Sequence, residues 1–225
     1  MNPPPPALPR AWVFDVYGTL LDPFSVVERC ESAYPGKGAA LCTLWRDKQL
    51  QYTWLRSLMQ RYRDFDRVTG DALWMACDLL SLDPKAARSI GLEKAYAQLS
   101  AFTEVPATLS SLGEAPRWVL SNGTSATVWA GLRHAGIDDA IDGVLSVETV
   151  GIYKPHPSVY ALATQQLQRP ASDIGFVSSN AWDIAGASAF GFQTFWVQRK
   201  GVCPEHLDQT PDQVLEDLSA LPAFS

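Results

Sequence analysis

The chain is short of cysteine, histidine, basic clusters and long apolar runs, and each shortage removes a class of function. Its four cysteines, Cys30, Cys42, Cys77 and Cys203, show no C-x-x-C spacing and no exported context. Reduced, packed thiols are therefore expected, rather than a disulfide framework or a zinc site. The three histidines, His134, His156 and His206, lack an adjacent acid and nucleophile, and no G-x-S-x-G elbow occurs, which disfavours a serine hydrolase. Eighteen Lys and Arg against 24 Asp and Glu leave a net charge of −6 with no basic block. Nucleic acid is therefore not an expected partner. No apolar run approaches the roughly 20 residues that span a bilayer. The segment from Met1 to Pro9 is rich in proline and lacks the charged-then-apolar plan of a signal peptide. A soluble, cytoplasmic protein without a membrane partner is expected.

What is present suffices for a substantial core: 225 residues, 47% of them hydrophobic, as one domain or a domain with an insertion. Pro3 to Pro6 read as a polyproline leader, with residues 1–10 expected to be a disordered end. The apolar run Trp12-Val13-Phe14 then breaks off at Asp15 and a Gly18-Thr19 turn. That places a carboxylate at the carboxyl end of a buried strand, where open α/β sheets build their sites, and makes Asp15 a candidate nucleophile.

From Pro23 to about Leu99 no strand is expected. Leu41, Leu44, Trp45, Lys48, Tyr52 and Leu55 recur at helical spacing, as do Ala72, Met75, Ala76 and Leu79. Asp83-Pro84 caps and opens a further helix predicted to run through Tyr96 to Leu99. Downstream, short apolar strands at Arg117 to Leu120, Gly143 to Ser146, Ile174 to Val177 and Gln193 to Val197 alternate with helices at Ser125 to His134, Ser158 to Leu167 and Trp182 to Ala189. Such alternation predicts the α/β class, a Rossmann-like parallel sheet with right-handed crossovers and a helical cap inserted after the first strand. The expected division is a catalytic core of residues 11–22 and 100–225 and a cap domain of residues 23–99.

Three predicted strands end in polar clusters: Asp15, then Ser121-Asn122, then Ser178-Ser179-Asn180 with Asp183 just beyond, while Lys154-Pro155 sits in the loop between the last two. This order resembles the haloacid dehalogenase-like superfamily over nearly the whole chain from about Ala11. The resemblance implies an Asp that attacks, a Ser that binds an anion, a Lys that balances charge and an acidic residue that closes the site. Phosphatase members resemble Asp-x-Asp-x-Thr at the first strand, the second Asp serving as acid and its carbonyl helping to hold magnesium. Here that position is Tyr17. A phenol with a pKa of about 10 is a poor replacement for a tuned carboxylic acid. A halide leaving group needs no such acid, so the expected chemistry is displacement at carbon, without a metal or other cofactor.

The stretch from Leu44 to Met59, with Leu120-Ser121-Asn122-Gly123, Tyr153-Lys154-Pro155 with Tyr160, and Ser178-Ser179-Asn180-Ala181-Trp182-Asp183, resembles the (S)-2-haloacid dehalogenases. The implied reaction converts a short (S)-2-haloalkanoate to the (R)-2-hydroxyalkanoate and halide through an ester on Asp15. Ser121, the Asn122 amide and the Tyr17 amide would anchor the substrate carboxylate, and Lys154 would keep Asp15 ionised. Arg46, helped by Asn122, would take the halide; by spacing alone it is equally a solvated helix arginine in an i,i+4 pair. Asp183, with Asn180 and Lys154, would orient water, although a helix-capping Asp fits the same position. Thr19, Ser178 and Tyr160 would hydrogen-bond Asp15 and Lys154. Tyr17, Leu50, Phe65 and Trp182 resemble the family's apolar pocket, and Trp45, Trp54 and Trp74 are read as core. A homodimer through cap helices, using part of Trp54 to Met59, is also implied. The rival readings are a magnesium-dependent phosphatase of the same fold, against which Tyr17 argues, and a non-catalytic binding module, against which the full set of polar strand ends argues.

Overall fold

The computed structural model describes residues 8–199, 201 and 203–225, so most of the proline-rich leader lies outside the described residues. From Pro9 onward the chain is held against the sheet: Pro9 is buried and the Arg10 N–H donates to the Asp173 carbonyl at 2.8 Å. Strand β1 (Ala11–Phe14) is buried at every position. It is the centre of a six-stranded parallel sheet formed with β2 (Arg117–Ser121), β3 (Gly143–Ser146), β4 (Ile174–Ser178), β5 (Gln193–Val197) and β6 (Gln213–Leu215). The order is β3-β2-β1-β4-β5-β6.

The chain builds outward from β1 on one side, then returns to its other side with β4. The strand order therefore reverses between β1 and β4, and a crevice opens at their carboxyl ends, where ligands of open α/β sheets bind. Phe14 pairs with both Val119 and Val177, so the residues that follow β1, β2 and β4 emerge at nearly one level. Sequence pattern and observed sheet agree, with one addition. Strand β6 has only three residues, too few for a period-2 pattern to register.

Between β1 and β2 lie α1 (Val27–Ala33), α2 (Gly38–Leu58), α3 (Phe65–Leu79), α4 (Pro84–Ser89) and α5 (Val105–Ser111). The core helices are α6 (Ser125–His134), α7 (Pro157–Leu167) and α8 (Ala181–Phe190). Asp83 caps α4 by accepting from the Lys85 N–H, and Pro84 starts it, as predicted. The predicted continuation to Leu99 does not occur in one helix. Gly91 takes φ +60°, a left-handed conformation that ends the run, and a separate 3-10 segment covers Leu92–Gln98.

The α2 stripe also differs from the apolar reading. Its buried face runs through Leu41, Cys42, Trp45, Arg46, Gln49 and Thr53, while Leu55 is 43% exposed. The polar side chains on this face are each satisfied: Arg46 reaches the Tyr17 carbonyl beyond β1, Gln49 bonds Thr69 on α3, and Thr53 bonds the Leu50 carbonyl of its own helix. Trp45 is core as expected, whereas Trp54 and Trp74 are only half-buried. Cys30, Cys42 and Cys77 are buried free thiols and Cys203 is an exposed one. Among the described residues no helix is long and apolar enough to cross a membrane.

Candidate active site

Asp15 leaves the sheet immediately after β1, its N–H still bonded to the Val177 carbonyl at 2.9 Å. The turn that follows is tight: Gly18 adopts φ +95° and its N–H meets the Leu21 carbonyl at 2.7 Å. This turn folds Thr19 back so that its Oγ1 donates to Asp15 Oδ2 at 2.9 Å. The same oxygen accepts from Asn180 Nδ2 at 2.8 Å, and Ser178 Oγ stands at 3.5 Å, the weakest of the three. Among the described residues Asp15 Oδ1 accepts only from Lys154 Nζ, at 3.0 Å. The carboxylate is thus held asymmetrically: one oxygen is gripped by side chains of the β1 turn and the β4 end, and the other keeps a lone pair free.

Lys154 also reaches Asp183 Oδ2 at 2.8 Å. Its ammonium is completely buried and lies 5.1 Å from the centre of the Phe176 ring. Burial alone would push its pKa down, but the Asp15 and Asp183 carboxylates more than offset this and hold it above 10.5. Burial pushes the Asp183 carboxyl up to about 6 against the pull of Lys154, with Asp15 adding to the rise. Asp183 does not cap α8, because its oxygens go to Lys154 and to the Tyr160 hydroxyl, which donates at 2.7 Å. Tyr160 therefore bonds Asp183 rather than Asp15 or Lys154. Burial and Asp183 raise its phenol well above the ordinary value, so it stays a donor.

Arg46 on α2 is 9% exposed, which excludes the solvated-pair reading. Its Nη1 donates to Gln49 Oε1 at 2.7 Å and Gln49 in turn donates to Thr69 Oγ1 at 2.7 Å, while Nη2 lies 3.4 Å from the Tyr17 carbonyl. The guanidinium thus overhangs the β1 turn. Gln49 on α2 and Thr69 on α3 carry no role in the sequence reading; the signal the sequence offers is a polar residue among those on the buried face of each helix. Ser179, which the strand-end cluster includes without a role, donates its N–H to Thr19 Oγ1 at 2.9 Å and its Oγ to the Gly18 carbonyl at 2.6 Å.

Ser121 and Asn122 end β2 beside this group. Ser121 is fully buried and accepts from the Gly123 N–H at 3.0 Å; Asn122 Oδ1 accepts from the Lys154 N–H at 3.1 Å, which fixes the lysine loop. The Tyr17 ring stacks on Phe65 at 5.4 Å and meets Tyr96 edge-on at 5.3 Å. Its buried hydroxyl has no partner among the described residues, and burial pushes the phenol far above its ordinary pKa, which makes it a poor proton donor to a leaving group. Trp182 packs edge-on against Trp54 at 5.5 Å, a contact between α8 and α2. Leu50 is half-buried on α2, four residues beyond Arg46.

Fold and site together define an α/β protein with a six-stranded parallel sheet and two carboxylates about a buried lysine at its strand ends. The family model of haloacid dehalogenase-like hydrolases matches residues 9–191. An (S)-2-haloacid dehalogenase of Pseudomonas sp. (strain YL) is 48% identical over 210 residues, covering 92% of this chain and 90% of that one. A crystal structure of an L-2-haloacid dehalogenase superposes with TM-score 0.93 at 44% identity, covering 97% of this chain and 99% of the other. The L-2-haloacid dehalogenase of Xanthobacter autotrophicus with chloropropionic acid covalently bound superposes with TM-score 0.90 at 36% identity, covering 96% and 98% of the two chains. The chain belongs to the haloacid dehalogenase-like hydrolases, among the (S)-2-haloacid dehalogenases.

Proposed function

We propose that this protein hydrolyses short (S)-2-haloalkanoates to (R)-2-hydroxyalkanoates and halide through an ester on Asp15. The observation that carries the reading is the unequal holding of the two Asp15 oxygens. Oδ1, with Lys154 as its single donor among the described residues, attacks C2 from the side opposite the halogen, the carbon–halogen bond breaks, and C2 inverts. Oδ2, already bonded by Thr19 and Asn180, becomes the ester carbonyl. Water then adds to the Asp15 carbonyl carbon, the charge that develops on Oδ2 meets donors already in place, and collapse breaks the Cγ–Oδ1 bond, so that the hydroxy acid departs with Oδ1 and takes back the proton that Asp183 removed from water. Asp183 takes the water proton, and Tyr160 and Lys154 hold it in position.

Arg46 supplies a fixed cation for the departing halide without giving up a proton, with Asn122 beside it. Ser121 and the backbone amides of Asn122 and Tyr17 receive the substrate carboxylate. Tyr17, Phe65, Leu50 and Trp182 enclose the alkyl group. Pre-positioning a carboxylate in place of free water can contribute about 7–11 kcal/mol. The relatives named as (S)-2-haloacid dehalogenases, and a relative with chloropropionic acid covalently bound, support the ester route.

The helical block of residues 23–99 serves as the cap over this site, with residues 11–22 and 100–225 as the catalytic core. The protein acts in the cytoplasm as a homodimer through the cap, where Leu58 and Met59 at the end of α2 are 81% and 59% exposed. Light scattering checks the assembly. The chemistry is tested by one turnover in heavy-oxygen water. The label should enter the Asp15 side chain, with unlabelled 2-hydroxypropionate released from (S)-2-chloropropionate. Label in the first-turnover product and none in the enzyme would reject the ester.

A further inference from the structure

We propose that Arg199, beyond β5 and outside every motif above, is a positioning residue that holds the nucleophile through the Thr19 carbonyl. The inference rests on Asp15 being the nucleophile. Arg199 Nη2 donates to the Thr19 carbonyl at 2.9 Å. Its Nη1 pairs with Glu104, and the guanidinium lies 3.9 Å from the centre of the Phe102 ring. The planar fork allows all three at once: the face stacks on the ring while the edge points at two acceptors. Side-chain exposures of 13% for Arg199 and 19% for Glu104 keep solvent screening of this pair weak.

Thr19 is the link to chemistry. Its Oγ1 donates to Asp15 Oδ2 and accepts from the Ser179 N–H, so its direction decides which way the carboxylate faces. The peptide plane that carries this side chain is gripped from behind at consecutive carbonyls. Arg199 holds that of Thr19, and the Phe102 N–H holds that of Leu20 at 3.1 Å. Without the guanidinium the rear of the turn is released on one side, Thr19 loses its fixed direction, and Oδ1 leaves the line of attack on C2. In-line displacement tolerates little of this, since a misplacement of about 1 Å can reduce rate by roughly 10²-fold.

A rival role is a structural pin. The chain leaves the core near Asp22, whose N–H bonds the Ser100 carbonyl, and returns beside it, so Arg199 also stands near the base of the helical block. A pin would lower the melting temperature and leave the rate per folded molecule alone.

The test compares wild type, Arg199→Ala, Arg199→Lys and Asp15→Asn by halide release from 2-chloropropionate, corrected for folded fraction from thermal melts. Positioning predicts that Arg199→Ala loses kcat, by up to roughly 10²-fold, with KM little moved, and that added guanidinium ion restores part of the loss. Arg199→Lys, which keeps the charge and loses the fork, should fall between. If Arg199→Ala does not fold, the lysine variant decides, a reduced kcat at native melting temperature supporting the proposal. A folded variant with wild-type kcat, or a loss that guanidinium does not restore, overturns it. Halide release by Asp15→Asn would instead remove the nucleophile reading, so the two failures are distinguishable.

Discussion

Lys154 and Asp183 meet at 2.8 Å with both side chains wholly buried, and the same ammonium lies 3.0 Å from Asp15. One cation thus compensates two carboxylates, that of Asp183 wholly buried and that of Asp15 8% exposed. Removing one partner of a buried ion pair costs about 3–5 kcal/mol, because the remaining charge stays desolvated. Lys154→Met is expected to lose a comparable amount in urea unfolding at neutral pH. Adding Asp183→Asn should recover part of it, since the second change removes a stranded charge. A single variant as stable as wild type would contradict the burial argument. The sign with pH follows from the raised lysine pKa: the stabilisation is fully present below 10.5 and is lost as pH climbs through the higher folded value.

Asp183 offers a kinetic counterpart. Its carboxyl is raised toward about 6, and only its ionised form can accept a proton from water. As pH falls through that value the base fills, hydrolysis of the ester slows, and the ester on Asp15 should accumulate. Quenched-flow mass spectrometry at pH 5 and pH 8 (on the order of one unit or more to either side of the raised value) reads this as adduct on the Asp15 peptide. An adduct level that stays flat with pH would deny Asp183 the role of base.

Much of this arrangement was legible in the sequence. Asp15, Ser121-Asn122 and Ser178 each follow an apolar run at a strand end, and period and position together mark them out. The sheet was readable for the same reason, since buried parallel strands are near-continuous apolar runs. Arg199 was not legible: it lies in a loop, and its partners Thr19, Glu104 and Phe102 are 180, 95 and 97 positions away in the chain. The polar face of α2 is not legible because burial of Arg46, Gln49 and Thr53 depends on what stands opposite them, which no helical period contains. The exchange of Tyr160's partner has a similar cause. A donor's reach was clear from the residue type, but not which carboxylate it would meet.

Arg46 carries a distinct expectation. Its two terminal nitrogens divide between Gln49 and the Tyr17 carbonyl, an arrangement that a single ammonium cannot reproduce. Removing one donor aimed at developing negative charge costs roughly 10²–10³ in rate. Arg46→Lys should therefore lose kcat within that range for alkylation, measured as the halide burst, while the ester once formed hydrolyses at its usual rate. Gln49→Leu, which frees the guanidinium from its brace, should give a smaller loss in the same step. Slowing confined to ester breakdown would place Arg46 in the wrong half of the reaction.

Tyr17 gives the last expectation, and it concerns stability. Its hydroxyl is buried without a partner among the described residues, and a polar group left unpaired costs about 1–3 kcal/mol. Its ring, by contrast, stacks on Phe65 and meets Tyr96 edge-on, contacts a phenylalanine would keep. Tyr17→Phe should therefore melt at or above the wild-type temperature in the absence of substrate. Tyr17→Ala should melt well below it, because it empties an aromatic-sized volume, and loss of a buried aromatic ring costs about 3–5 kcal/mol. If the phenylalanine variant melts lower than wild type, the hydroxyl has a partner in the free enzyme, and the reading of an unpaired phenol fails.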